Sequence, residues 1–263
     1  MIKQLAIASL LASSTLYADT VLGGEVSLGV YSHTPSGQAS YTIPHVGIGS
    51  EADLEDTFGW SSNTDFMFKA YIEHPIPLIP NFKFGYSKLT HEGTSSTSLF
   101  TWGNIIDFSG DMESSLDMGI TDLTAYYEIV DSTIELDIGL TLRYLYGDIF
   151  VNPKAAVSTP VGSLSTPPVS ETVSFSALAP MLYGKARFSI PGTDIALQLE
   201  ANAISYNETT FYDYELGARY TFDFGLGIEG GYKALHLDST TLEDGLVMDF
   251  DENGFYASVV WDF

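Results

Sequence analysis

Apolar and polar residues alternate with a period of two in ten separate stretches of this chain. Successive side chains on a β-strand point to opposite faces, so each stretch reads as a strand with one apolar and one polar face. The clearest sets Ile134, Leu136, Ile138, Leu140, Leu142 and Tyr144 against Glu135, Asp137, Gly139, Thr141 and Arg143. The others lie at 23–31, 66–73, 81–89, 122–129, 182–190, 195–203, 212–220, 224–234 and 254–263.

The connections between these stretches alternate in length. Short ones at 75–80, 131–133, 191–193 and 222–224 are built from the turn formers Pro, Gly and Asp. Long ones are expected at 32–65, 90–121, 147–178 and 237–253, with a briefer one near 206–210. Tight turns on one rim and loops on the other are the mark of an up-and-down antiparallel barrel.

The charges decide which face points outward. Lys69, Lys83, Arg143, Lys185, Arg187, Arg219 and Lys233 all fall on polar faces, and no stretch carries a charge within its apolar set. An Arg or Lys facing lipid at mid-depth costs about 2–4 kcal/mol, so a charge-free outer band is what a bilayer requires. A soluble barrel would show the opposite arrangement. The fold class is therefore all-β: a transmembrane up-and-down antiparallel β-barrel of about ten strands. With no water in the hydrocarbon layer, unpaired edges would be costly, so the first and last strands should pair. That pairing explains how the chain ends on Phe263 within a strand, with Trp261 and Phe263 at the short-turn rim.

Composition adds location. Residues 1–18 combine Lys3, an apolar run from Leu5 to Leu11 and a closing Ala18, which reads as a secretory signal peptide followed by a barrel over 19–263. There are no cysteines, hence neither disulfides nor a lipoprotein anchor. A net charge of −24 opposes nucleic-acid binding. Lipid and lipopolysaccharide of a Gram-negative outer membrane are the expected surroundings, and a monomer is the expected state.

The stretches "ADTVLGGEVSLGVY", "AYIEHPIPLIPNFKFGYSKL", "TAYYEIVD", "PMLYGKARFSIP" and "FYDYELGARYTF" resemble a family of small Gram-negative outer-membrane β-barrel proteins of uncharacterised function. The "EHPIPLIPN" turn is the most specific of these matches. The resemblance implies topology and location, and it brings no catalytic residues. It also implies that Phe263, as a terminal aromatic, is the signal read by the outer-membrane assembly machinery.

The largest chemical constellation is the inward set itself. Glu25, Glu73, Asp122, Glu128, Glu135, Asp137, Glu200, Asp213, Glu215, Glu229 and Asp262 face the seven bases named above. A ten-strand bore is narrow, so these are expected to close it as a network of ion pairs. Eleven acids against seven bases leave a small cation-leaning, porin-like channel as the alternative. A rim-sited hydrolase is the second alternative. Ten-stranded barrels include surface proteases with paired aspartates opposite an Asp/His couple; here His236 and Asp238 would be the couple, with an acid from Glu51, Asp53 or Asp65. Ser32 and His33 are adjacent but face opposite ways, and His74 sits at the short-turn end. "DFDENG" at 249–254 matches half a calcium loop but offers Val260 where a bidentate Glu is needed. The acids Asp238, Glu243, Asp244, Asp249, Asp251 and Glu252 make the outer loops a candidate loose site for divalent cations. The segment 152–174, rich in Ser, Thr and Pro, is expected to be mobile or extended. The expected function is a non-enzymatic membrane protein with a packed lumen, surface-exposed interaction loops and no cofactor.

Overall fold

The computed structural model describes residues 22–43, 49–76, 78–154 and 169–263; residues 1–18, expected to be a leader, and most of the 152–174 segment lie outside these. Its strands are β1 (Gly23–Tyr41), β2 (Ala52–Asp53), β3 (Asn63–Glu73), β4 (Asn81–Trp102), β5 (Ile105–Val130), β6 (Ile134–Pro153), β7 (Glu171–Ser189), β8 (Ile195–Tyr206), β9 (Thr209–Thr221), β10 (Leu226–Ser239) and β11 (Leu246–Asp262). Apart from the two-residue β2, each pairs antiparallel with its neighbours, and β11 returns to β1. The result is a closed ten-strand barrel. All ten alternating stretches are strands.

Closure reaches the chain's end. The Phe263 N–H donates to the Gly24 carbonyl at 2.9 Å and the Gly24 N–H to the Phe263 carbonyl at 2.8 Å. A Cβ on Gly24 would lie 2.6 Å from the Phe263 ring, so the glycine makes room for the terminal aromatic.

The strands run far beyond the stretches read from the sequence. About 9–11 residues suffice to cross a bilayer when tilted, yet β4, β5 and β6 have 22, 26 and 20 residues. Consequently, much of what was expected as long loop is strand. The interval 90–121 is mostly the β4–β5 hairpin, β1 continues to Tyr41, and "DFDENG" lies inside β11. Side-chain parity carries on along the extensions, apart from the register shifts between Thr97 and Trp102 at the top of β4, while the chemistry of the faces exchanges. On β5, Leu123, Tyr127 and Ile129 face outward in the band, and Asp111, Glu113 and Asp117 face outward above it. Inward, Asp122 and Thr124 give way to Met112, Leu116 and Met118.

The outer apolar band is bordered by aromatic rings. Tyr144 and Tyr146 lie 5.4 Å apart and Tyr232 and Phe255 5.7 Å apart on the upper side, with Phe222 and Phe224 5.5 Å apart on the lower. Paired girdles of this kind mark the two membrane boundaries.

Above the band the barrel has a conventional hydrophobic core. β3 stops at Asn63, opposite His33, while β1 and β4 continue upward. The connection from β1 to β3 fills the gap. β2 pairs with Gln38 and Ala39, and Leu54, Phe58 and Trp60 then turn inward and are buried. Asp53 shapes that turn, its Oδ1 accepting the N–H groups of Glu55 and Asp56. A Cβ on Gly93 would fall 2.2 Å from the Phe58 carbonyl oxygen, so this position on β4 must be glycine for the segment to seat. Phe58 stacks on Trp60 and meets Trp102 edge-on, and Leu89, Leu116, Ile149, Val173 and Phe250 complete the packing.

Candidate functional site: the lumen and its histidine cluster

Within the membrane band the interior is polar and linked. Arg219 donates to Glu25 at 2.7 Å and to Glu229 at 2.8 Å, and lies 3.5 Å from Asp262. Arg143 makes a fork of 2.8 and 2.6 Å to Asp122 and reaches Asp213 at 2.5 Å. Between them, Lys69 joins Glu200 to Glu215, Lys83 contacts Glu200, and Lys233 donates to Glu215 at 2.6 Å. Such paired, bidentate geometry compensates the cost of desolvating the charges. The void among Lys69, Lys83, Arg143 and Glu215 holds about 20 Å³, room for roughly one water.

The remaining members of the inward set sit towards the short-turn end. Glu73 accepts from Tyr126 Oη at 2.9 Å, Arg187 stands 4.0 Å from Glu135, and Lys185 lies over the Tyr71 ring at 4.5 Å. Asp137 is buried with Oδ1 lacking a hydrogen-bond partner. Glu128 is exposed, beside the register shift that ends the β5–β6 pairing, so it stands outside the bonded network.

A second cluster occupies the height where the outer face turns from apolar to polar. His33 from β1, His91 from β4 and Glu252 from β11 have fully buried side chains. His33 Nδ1 lies 2.9 Å from Glu252 Oε2, and His91 Nε2 lies 2.5 Å from Glu252 Oε1. Asp65 on β3 approaches His33 Nε2 at 3.3 Å and is held in turn by the N–H of Thr90 at 2.6 Å. His91 Nδ1 lies 2.9 Å from the Ser61 carbonyl oxygen, and the Trp60 ring stacks on the imidazole at 5.9 Å.

The sequence reading missed this cluster. It left His33 without a partner, did not single out His91, and placed Glu252 among outer-loop acids. Parity was the available signal. Position 33 shares a face with 25, 27 and 31, position 91 with 81, 83 and 89, and position 252 with 256, 258 and 260.

The other rim candidates do not converge. His236 and Asp238 share the outward face of β10, and His236 bonds across to Asp251 at 2.8 Å, while Asp238 pairs in register with Asp249. Asp65 faces inward, and Asp53 is committed to its turn. Of the acids considered for a cation site, Glu252 lies in the lumen, whereas Asp238, Asp249 and Asp251 neighbour one another on the outer wall of β10 and β11. His74 organises the short turn, one ring nitrogen meeting the Pro80 carbonyl at 3.1 Å and the other accepting the Ile76 N–H at 3.2 Å.

No family model matches the chain, and no curated protein sequence matches it. Among solved structures it is similar to the outer membrane protease OmpT of Escherichia coli, with a TM-score of 0.52 at 10% identity over 92% of this chain and 97% of that one. The attachment invasion locus protein Ail of Yersinia pestis has a TM-score of 0.36 at 10% identity, covering 90% of this chain and 99% of that one. The transport unit of the E. coli autotransporter AIDA-I has a TM-score of 0.37 at 10% identity, covering 94% and 90%. At 10% identity the likeness to OmpT is one of fold. Taken with the exposed apolar belt and its aromatic borders, it makes this chain a β-barrel of the Gram-negative outer-membrane type.

Proposed function

We propose that this protein is a non-conducting, non-enzymatic outer-membrane barrel whose working surface is the wall and loops that stand above the bilayer. Membership of the family of small outer-membrane barrels of uncharacterised function is part of that reading. The carrying observation is the closure of the lumen. The bore is crossed by the Arg143, Lys69 and Arg219 ion-pair groups and, above them, by the buried Leu54, Phe58 and Trp60 plug. A narrow barrel whose inward side chains meet across the axis leaves no water path for ions. Outside, the tall β4–β7 wall offers polar side chains to water and to the lipopolysaccharide around it. Phe263, closing the β1–β11 seam, serves as the assembly signal, and the barrel works as a monomer.

Planar-bilayer recording tests the reading. The refolded protein should give no steady current steps. Regular, cation-selective steps of large conductance would establish the channel alternative in its place.

A further inference from the structure

His33, His91 and Glu252 come from three strands, β1, β4 and β11, and their inner ligand atoms lie within 4.8 Å of one another. We propose that they bind one divalent transition-metal ion, with Zn²⁺ the best match, which ties these strands together beneath the apolar plug.

The argument is a count of hydrogens. All four ring nitrogens of the two imidazoles face oxygen acceptors: Glu252 and Asp65 around His33, and Glu252 and Ser61 around His91. Two neutral imidazoles carry only two N–H groups. The outer nitrogens have natural claims on both. We assign the His91 Nδ1 hydrogen to the Ser61 carbonyl and the His33 Nε2 hydrogen to Asp65, whose other contacts are donors from Thr90. That leaves His33 Nδ1 and His91 Nε2 presenting lone pairs to the two oxygens of a single carboxylate. Lone pairs do not attract lone pairs, and the three side chains are fully buried, so a positive centre belongs between them.

A divalent ion fits that place on three counts. Its charge balances Glu252 and Asp65. Two imidazole nitrogens and a carboxylate suit Zn²⁺, whereas Ca²⁺ and Mg²⁺ take oxygen ligands. The outer partners, a carboxylate behind one histidine and a backbone carbonyl behind the other, are the supports that orient metal-bound imidazoles. Zn–N and Zn–O bonds of about 2.0–2.1 Å set tetrahedral ligands about 3.3 Å apart. The present contacts of 2.9 and 2.5 Å would open by less than about 1 Å. A second group, His236 with Asp249 and Asp251, lies on the outer wall and provides an internal control.

The test uses the full barrel, unfolded with chelator and refolded in detergent with Zn²⁺, Co²⁺ or Ca²⁺. His236→Ala is the reference background, and folding is followed by heat-dependent migration. Expected are one Zn²⁺ retained per chain, a higher melting temperature with Zn²⁺ but not with Ca²⁺, and visible Co²⁺ absorption of a low-coordinate N/O site. Glu252→Gln should lose the metal, and Asp65→Asn, which keeps all three ligands, should weaken binding by about 10–100-fold. The Co²⁺ spectrum is read on protein with the site intact and so stands even where Glu252→Gln fails to fold. Folded protein that retains no Zn²⁺ and shows no Co²⁺ band would overturn the proposal. Metal bound equally by Glu252→Gln, or lost in His236→Ala, would overturn it as well.

Discussion

β5 and β6 cross from lipid to water without changing which residues face the barrel axis, yet the two regions they pass through are built on opposite principles. In the band, β6 turns Ile138 and Leu140 to lipid and Asp137, Thr141 and Arg143 inward. Above it, the same inward parity carries Leu145, Ile149 and Val151, and the outward parity carries Asp148 and Asn152. The solvent outside decides each case. Lipid removes the hydrophobic reason to hide apolar side chains and forbids exposed charge, so the polar residues go inside and must neutralise one another. Water restores the usual order, and the upper interior packs as a soluble core. One barrel thus has two interiors, the lower held by charge compensation and the upper by apolar packing, with the His33–His91–Glu252 cluster at their junction.

The largest effect should come from breaking compensation in the lower interior. Arg219→Met leaves Glu25 and Glu229 buried without their cation. A loss of about 3–5 kcal/mol is expected in urea unfolding monitored by tryptophan fluorescence. Replacing all three together, as Arg219→Met with Glu25→Leu and Glu229→Leu, should recover much of it, because similar-volume apolar groups can stand in for a buried ion cluster. If the single replacement costs nothing, the lower interior does not depend on its ion pairs.

The matching cut in the upper interior is Leu116→Ala, at a side chain only 1% exposed and packed in the plug cluster. The expected cost is about 3 kcal/mol, from lost transfer energy and the cavity left behind. Apolar packing carries no charge to screen, so the Leu116→Ala deficit should be the same at low and high ionic strength.

The outer faces give the next contrast. Leu140→Arg puts a charge into lipid and should cost about 2–4 kcal/mol, measured by reversible folding into vesicles. Thr172→Arg, also outward but on the upper part of β7, should stay within about 0.5 kcal/mol. Equal costs at the two positions would mean that the inversion of the faces is not set by the surrounding solvent.

That inversion also explains how far the sequence could be read. An outward apolar alternation identifies a strand only where lipid lies outside, so all ten strands were legible in the band. Beyond it, 90–102 of β4 turns Thr90, Glu92, Thr94 and Ser96 outward, and the same two-residue period no longer marks a membrane strand. From sequence alone the upper halves of β1, β4, β5, β6, β7 and β11 therefore read as loops, although they are strands. The ion-pair partners were legible as a set, because each lay on an inward face. Which acid meets which base was not, since Arg219 and Glu25 are 194 residues apart and meet only when β11 closes on β1. The histidine cluster failed for the same reason as the upper strands: its parity was readable, but the strands carrying it had been ended too early.

A small effect is also expected at His236, which separates the wall from the interior. Its bond to Asp251 joins side chains 21% and 44% exposed on the outer faces of β10 and β11. A pair so open to water gains little, because solvent screens it and both side chains lose freedom in holding the geometry. His236→Ala should therefore change stability by less than about 1 kcal/mol. The same variant bears on the hydrolase alternative, which needs His236 beside an acid pair at the rim. The acids beside it are Asp249 and Asp251 on the same outer wall, while Asp53 is held in its turn and Asp65 faces inward, and Tyr212 packs its ring against the imidazole at 4.9 Å. Screening the intact protein and His236→Ala against peptide and ester substrates should reveal no activity that the substitution removes. A hydrolysis lost on that single change would move the working site from the upper wall as a whole to this one point on it.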